Sequence, residues 1–148
     1  MPEESAAKSG QRLTIQSRLE DLGLIWPWVE SLAAEHAMPD NTRFAIDLCL
    51  EESVSNVIRH GYRGQPDRPI TVDFATEPGE WAFTIEDQAP PFDPLAQPTA
   101  GEVPAPASID EIPLGGRGIL LMRKFAGSLA YERLPGGNRL TIRFPDSR

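Results

Sequence analysis

The sequence contains little cysteine, few basic residues and no long apolar stretch. Cys49 is the one cysteine among 148 residues, which excludes an internal disulfide and a multi-cysteine metal site. Lys and Arg total 14 against 22 Asp and Glu, a net charge of −8, which disfavours direct binding of nucleic-acid phosphates or an anionic membrane. No stretch reaches the ~20 apolar residues of a membrane span. We therefore expect a cytoplasmic protein with a reduced thiol.

The length of the chain predicts one domain. Residues 1–10 are small and polar, and we expect them to form a disordered tail ahead of a single domain over 11–148. The segment from Gln88 to Pro113 holds seven of the chain's 15 prolines. A connection that long is uncommon within a compact domain, and we expect it to be functional or disordered.

Two kinds of periodicity predict the elements of this domain. Alternating apolar and polar residues predict an edge strand over 11–18 and two hairpins, 70–74 with 81–85 and 128–134 with 139–144. Helical spacing predicts helices over 20–36, 41–62 and 117–125. In the first of these, Trp26, Trp28 and Val29 belong either to the core, which we favour, or to an interface with a partner. The order predicts an α+β fold, a two-layer sandwich whose mostly antiparallel sheet carries helices on one face.

The second helix carries the first candidate site. Glu52 and Asn56 are i, i+4 neighbours away from the centre of the apolar stripe, and His60 follows one turn later. A carboxylate beside a carboxamide oxygen suits a divalent cation or a hydroxyl that is to lose its proton. The alternative is a solvated helix face formed with Arg59. Asn56 weighs against that alternative, since asparagine is a poor helix former in mid-helix.

Two further candidates follow along the chain. Asp87 ends an apolar strand, where its carboxylate can accept a hydrogen bond from a ligand's amine or merely form a turn. The cluster Gly115, Gly116, Arg117 and Gly118 precedes the third helix, where backbone N–H groups can approach a phosphate or serve as a flexible hinge. The cluster matches neither the P-loop nor the Rossmann fingerprint.

The order and spacing of these features resemble the ATP-binding domain of the GHKL (Bergerat-fold, histidine-kinase-like) ATPase superfamily, shared by gyrase, a heat-shock chaperone, histidine kinases and MutL. The segment LEESVSNVIRHGY is similar to the N-box of the anti-sigma-factor serine/threonine kinases, which typically ends in HGY. The resemblance covers roughly residues 12–145, nearly the whole chain.

This resemblance implies roles for the candidate residues. Glu52 would be the general base, Asn56 would hold the Mg²⁺ that bridges the ATP phosphates, and Asp87 would bind the adenine amine. The glycine cluster with Arg117 would lie beside the phosphates, and residues 88–114 would form the ATP lid. Arg59 and His60 fall where the family approaches the nucleotide.

The resemblance also implies a function. It predicts an anti-sigma factor with ATP-dependent serine/threonine kinase activity towards an anti-sigma-factor antagonist. Its partners would be that antagonist and the sigma factor it sequesters to regulate transcription, and we expect a homodimer.

The sequence departs from the family pattern at two places. Where the first glycine box ordinarily reads D-x-G-x-G, this chain has DQAPPFDP, with Ala89 and Pro91 in place of glycines. Where the family has Gly-Thr near the last strand, this chain has Gly137-Asn138. These departures keep open a non-catalytic GHKL-like interaction module with weak or no ATP binding. A third possibility is a catalytic domain that serves a separate histidine phosphotransfer protein.

Overall fold

The computed structural model describes residues 10–96 and 122–146. The predicted tail (apart from Gly10), most of the predicted lid and the cluster at 115–118 lie outside the described residues. Five strands are present: β1 Gly10–Gln16, β2 Pro69–Glu77, β3 Glu80–Asp87, β4 Ser128–Leu134 and β5 Gly137–Pro145. Two α-helices lie between β1 and β2, α1 Ile25–His36 and α2 Asp40–Asn56.

The strands form a single antiparallel sheet in the order β1-β2-β3-β5-β4. Both predicted hairpins are confirmed, because β2 pairs with β3 and β4 pairs with β5. Their turns use Gly79 at φ 74° and Gly136 at φ 86°, a left-handed conformation that glycine adopts without steric cost. Pairing of β3 with β5 joins the two hairpins, and it places Asp87 opposite Asn138.

The two faces of the sheet differ in character, as an alternation of period two requires. The inner face is apolar and buried, with Val72, Phe74, Phe83, Ile85 and Ile142 in the core. The outer face carries ion pairs between strands. Arg12–Asp73 and Arg139–Glu86 join neighbouring strands, and Arg143–Glu77 joins β5 to β2 across β3. Helices α1 and α2 therefore cover one face only. The predicted two-layer α+β architecture is confirmed.

Helix α1 packs its apolar side against this inner face. Val29 is buried, and the ring of Trp28 meets that of Phe83 edge-on at 6.0 Å. Pro27 lies in the first turn, where proline costs no hydrogen bond. Trp26 is 47% exposed, so its expected place in the core is wrong; the cation Arg43 lies over its ring instead. The segment predicted as helical from about residue 20 divides in two, since Leu19–Leu24 form a 3-10 helix and the regular α-helix begins at Ile25.

Helix α2 carries the long apolar stripe that the sequence indicates. All eight stripe positions are buried: Ile46, Cys49, Leu50, Ser53, Val54, Val57, Ile58 and Gly61. The regular helix ends at Asn56 and the chain continues as a π-helical turn, Val57–Gly61. A π turn takes more residues per turn than an α-helix. The predicted single α-helix over 41–62 therefore changes its geometry five residues before Tyr62.

Candidate functional site

The polar end of β3 and the middle of α2 meet at one small cavity. Its volume is about 20 Å³, room for roughly one water molecule. Helix α2 contributes Ser53, the π-helical turn contributes Val57, and β3 contributes Ile85 and Asp87. The other lining residues come from the segment after β3 and from the second hairpin: Phe92, Pro94, Tyr131, Asn138 and Leu140. Two of the sequence-predicted regions, α2 and the end of β3, are therefore brought together.

Glu52 and Asn56 each precede a lining residue in the sequence: Ser53 in α2 and Val57 in the π-helical turn. Both side chains are half-buried. Within the described part of the chain, neither side chain makes a hydrogen bond or an ion pair. Neither residue lines the cavity itself. The unpaired carboxylate and carboxamide lie one helical turn apart on α2, and their roles as base and magnesium ligand stay a prediction.

Asp87 is the buried carboxylate of this site, with 8% of its surface exposed. Its Oδ1 atom accepts hydrogen bonds from the Ala89 N–H at 2.9 Å and from Asn138 Nδ2 at 2.8 Å. Burial raises the pKa of Asp87, and these hydrogen bonds act in the opposite direction. A buried carboxylate that still has an acceptor oxygen suits recognition of an amine. The adenine-binding role that the resemblance gives Asp87 stays a prediction.

The remaining two predicted residues of the N-box lie apart from Asp87. His60 is exposed, and its ring stacks on Phe92 at 5.8 Å between centroids. Arg59 lines a separate open groove of about 390 Å³ together with Ser17 and Arg18. The π turn separates these two residues from the regular row that Glu52 and Asn56 occupy on α2. His60 reaches the site through Phe92, whereas Arg59 does not line the Asp87 cavity.

Tyr62, the last residue of the HGY sequence, is a buried site residue that the sequence reasoning did not single out. Its hydroxyl donates to the Pro69 carbonyl at 2.7 Å and accepts the Gln88 N–H at 2.7 Å. It thereby connects the start of β2 to the residue that follows Asp87. Burial raises the pKa of the Tyr62 hydroxyl. The HGY motif itself was the signal that would have identified it.

The residues that replace the glycine box are held by close packing. The Ala89 side chain is buried against Gly61, where an added Cβ would lie 3.3 Å from the Ala89 Cβ. Alanine at 89 is therefore accommodated because glycine stands at 61. The segment that carries Ala89 and Pro91 is in this way packed against the end of the N-box.

The second hairpin contributes two further residues that the sequence reasoning noted only as departures. A Cβ at Gly137 would lie 2.0 Å from the Asp87 carbonyl oxygen, so only glycine lets β5 approach the end of β3. Asn138 is 4% exposed and donates to the Asp87 carboxylate. Where the family has threonine, this chain therefore carries an asparagine that contacts the candidate purine-binding residue directly.

The two described ends that flank residues 97–121 lie beside each other. The Ser53 hydroxyl donates to the Met122 sulfur at 2.9 Å. Met122 therefore contacts α2 at the residue that follows Glu52. Arg123 donates weakly to the Leu95 carbonyl at 3.4 Å. Gly115, Gly116, Arg117 and Gly118 lie outside the described residues, and their predicted phosphate contacts stay a prediction.

Comparison with protein families assigns the chain to a known family of domains. The model of the histidine kinase-like ATPase domain matches residues 15–144, which is nearly the whole chain. The chain belongs to the histidine kinase-like ATPase domain family. Membership in this family implies ATP as the ligand of the site, in agreement with the resemblance read from the N-box.

Two known proteins extend this comparison for the histidine kinase-like ATPase domain. The serine/threonine-protein kinase BtrW of Bordetella bronchiseptica is 30% identical over 115 residues, which cover 78% of this chain and 79% of that protein. The histidine kinase domain of the blue-light-activated histidine kinase EL346 from Erythrobacter litoralis has the same fold, with a TM-score of 0.53 and 17% identity. That match covers 86% of this chain and 60% of that domain.

The donor set on α2 fits a nucleotide-bound magnesium ion. Such an ion keeps several waters and usually takes only one or two protein oxygens besides the phosphates. Asn56 offers one carboxamide oxygen at the end of α2. Across residues 10–96 and 122–146, no cluster of three His, Cys, Asp or Glu side chains forms an all-protein cage. No helix in the same ranges is long and apolar enough to cross a membrane.

Proposed function

We propose that this histidine kinase-like ATPase is a protein serine/threonine kinase that phosphorylates an anti-sigma-factor antagonist. In this proposal it also acts as an anti-sigma factor that sequesters a sigma factor in the cytoplasm, as a homodimer. The observation that carries the proposal is that α2, which bears the unpaired Glu52 and Asn56, and the end of β3 at Asp87 meet at one cavity. The similarity to a protein named as a serine/threonine kinase supports the choice of acceptor.

Three residues, Asp87, Asn56 and Glu52, would each have one role in phosphoryl transfer. Asp87 accepts a hydrogen bond from the adenine amine and so fixes the base. Asn56 holds a magnesium ion, which when bound neutralises phosphate charge. The Glu52 carboxylate takes the proton of the attacking serine or threonine hydroxyl while the γ-phosphoryl group moves to that oxygen and ADP leaves. Phosphoryl transfer of this kind depends on positioning and charge neutralisation.

Product release would follow from charge. A phosphorylated serine or threonine carries about two negative charges at neutral pH. This protein already carries a net charge of −8. Repulsion between the two would weaken the complex with the modified antagonist and leave the kinase available for the sigma factor.

Glu52→Gln tests the assigned base. With Mg·[γ-³²P]ATP and an anti-sigma-factor antagonist from the same genome as substrate, we expect transfer to fall at least ~100-fold, because a general base contributes about 10²–10⁴. The affinity for Mg·ATP, measured by calorimetry, should stay within about threefold. The adjacent Glu51→Gln is the matched control and should transfer phosphate at the parent rate. Equal rates for Glu52→Gln and the parent would show that Glu52 is not the base.

The stability of the phosphorylated product separates the kinase from the phosphotransfer alternative. Phosphoserine and phosphothreonine survive acid, whereas phosphohistidine is lost in acid. We expect the label to be acid-stable. An acid-labile label would instead identify the chain as a catalytic domain for a histidine phosphotransfer protein.

A non-catalytic interaction module is the second candidate, and two observations favour it. Ala89 and Pro91 replace the glycines of the first glycine box, and the cavity beside Asp87 has a volume of only about 20 Å³. Calorimetric titration with millimolar Mg·ATP distinguishes the two functions. Absence of heat at that concentration would favour the interaction module.

A further inference from the structure

Asn138 makes an unusually complete set of side-chain hydrogen bonds for one buried amide. Its Nδ2 donates to Asp87 Oδ1 at 2.8 Å and to the Pro90 carbonyl at 3.0 Å, with a longer contact to the Ala89 carbonyl at 3.3 Å. Its Oδ1 accepts the Phe92 N–H at 3.1 Å and the Tyr131 hydroxyl. Both ends of the amide thus bind the chain between Asp87 and Phe92.

That segment depends on side chains for all of its backbone donors. Residues 88–92 contain two prolines, which have no N–H, so three N–H groups remain. The Gln88 N–H binds the Tyr62 hydroxyl, the Ala89 N–H binds Asp87 Oδ1, and the Phe92 N–H binds Asn138 Oδ1. No ladder hydrogen bond holds the segment, since β3 ends at Asp87.

Arg133 reinforces this arrangement from β4. Its Nη1 donates to the Ala89 carbonyl at 2.9 Å and lies 3.4 Å from Asn138 Oδ1. The pairing of β4 with β5 and of β5 with β3 puts Arg133, Asn138 and Asp87 in one row across three strands. Strand pairing therefore fixes the position of Asn138, and the hydrogen bonds of Asn138 hold residues 88–92 in place.

We propose that Asn138 is the positioning residue of the purine subsite and that it sets which oxygen of Asp87 meets the amine of the nucleotide. The Ala89 and Asn138 donors both bind Oδ1, which leaves Oδ2 for the ligand. The segment 87–92 has no glycine, and the hydrogen bonds of the Asn138 amide hold its backbone in the observed conformation. This inference rests on the proposed ATP-binding function.

The first test needs no nucleotide. Amide hydrogen exchange followed by NMR reports the Phe92 N–H, which Asn138 Oδ1 protects. In Asn138→Ala we expect Phe92 exchange to rise at least ~10-fold, while the Ile85 amide within β3 is unchanged. Tyr131→Phe, which removes one donor to the same oxygen, should give a smaller rise. Asn41→Ala, at an exposed asparagine on α2, is the matched control and should leave Phe92 unchanged.

The second test measures base discrimination by calorimetry. The probes are Mg·ATP and the magnesium complex of purine riboside triphosphate, which lacks the amine. A hydrogen bond to a carboxylate contributes about 1.5–3 kcal/mol, so we expect the parent protein to prefer ATP by roughly 10-fold or more. In Asn138→Ala the preference should fall at least ~5-fold. If Asn138 contributed to stability alone, the substitution would weaken the binding of both nucleotides equally. The ratio of the two affinities would then stay unchanged.

Asn138→Asp keeps the test valid if the alanine variant does not fold. Aspartate retains an acceptor for the Phe92 N–H, but it replaces the amide donor with a second carboxyl group that repels Asp87 or shares a proton with it. Protection of Phe92 should therefore persist while the preference for ATP falls at least ~5-fold. A parent protein that binds neither nucleotide would contradict the proposed function. A parent that prefers ATP, with variants that keep the same preference, would contradict only the role given to Asn138.

Discussion

At the scale of single residues, Asp47 and Glu51 form an unfavourable pair one helical turn apart on α2. The Asp47 Oδ1 atom is buried and has no hydrogen-bond partner in the described part of the chain. Burial, followed by the charge of Asp47, raises the pKa of Glu51 to about 7, and burial also raises the pKa of Asp47. The folded protein therefore holds protons at this pair that the unfolded chain releases at lower pH.

This pair predicts that stability falls as the pH rises. Glu51 has an ordinary pKa of 4.5 and a folded value of about 7, so the folded state binds more protons between those values and loses stability across that range. Glu51→Gln should raise the free energy of unfolding at pH 8 by about 1 kcal/mol, a figure reduced for solvent screening at this half-exposed group. Near pH 5 the variant and the parent should differ less.

Urea denaturation at pH 5.5 and pH 8 checks this prediction. Glu20→Gln, at an exposed carboxylate of the 3-10 helix, serves as the control and should not change the pH dependence. If Glu51→Gln has the same stability as the parent at both pH values, the carboxyl pair is not the cause of any pH dependence observed.

Tyr62 offers a second prediction at this scale. Tyr62→Phe removes the hydroxyl that satisfies both the Pro69 carbonyl and the Gln88 N–H. We expect a loss of about 1–2 kcal/mol in the free energy of unfolding, since these partly buried groups lose a hydrogen-bond partner. Chemical denaturation measures the change. An unchanged denaturation midpoint would mean that water replaces the hydroxyl without cost.

At the scale of elements, the site depends on how closely β5 approaches the end of β3. Gly137→Ala would place a Cβ 2.0 Å from the Asp87 carbonyl oxygen, and the obstacle is backbone, which cannot rotate away. We expect a loss of about 3 kcal/mol or more, at the severe end of overpacking, with loss of nucleotide binding. Thermal unfolding and calorimetry check the two effects.

Gly23→Ala is the control for that substitution. An added Cβ at Gly23 meets nothing within 4 Å, so its effect on stability should be within about 0.5 kcal/mol, as for most surface substitutions. A Gly137→Ala protein as stable as Gly23→Ala would contradict the close approach of the two strands.

At the scale of the whole molecule, the architecture brings α2, the end of β3 and the second hairpin to one cavity. These parts are far apart in the sequence, so a ligand that binds there contacts several elements of the fold at once.

Nucleotide binding should therefore be visible in the stability of the whole domain. At about 100 times its dissociation constant, Mg·ATP should add about 2.7 kcal/mol to the free energy of unfolding, which corresponds to a rise in Tm of about 5–10 °C for a domain of this size. Asp87→Asn should reduce this rise, because the carboxylate acceptor is lost.

Mg·GTP is the matched ligand control for the thermal shift. Guanine presents a carbonyl oxygen at the position where adenine presents its amine. In the same base orientation, Asp87 therefore finds no donor at that position. Equal shifts with Mg·ATP and Mg·GTP would contradict the role of Asp87 as the residue that selects the base.

The sequence by itself determined the periodic parts of this protein. Alternation of apolar and polar residues predicts β2 and β3 as strands, and the apolar stripe from Ile46 to Gly61 predicts a helix. In both cases the periodicity gives the element one apolar face that must be buried. The N-box and Asp87 indicated the family for a similar reason, since their chemistry is carried by residue type and spacing. The prediction of a two-layer sandwich followed from the order of these elements.

Only the tertiary structure decided what those residues contact. The π turn after Asn56 and the exposure of Trp26 depend on neighbours that no local pattern contains. The same holds for Asn138, which lies 51 positions from Asp87 in the chain and meets it only because β5 pairs with β3. A hydrogen bond forms between groups that are close in space, and sequence periodicity describes only which face of an element is buried.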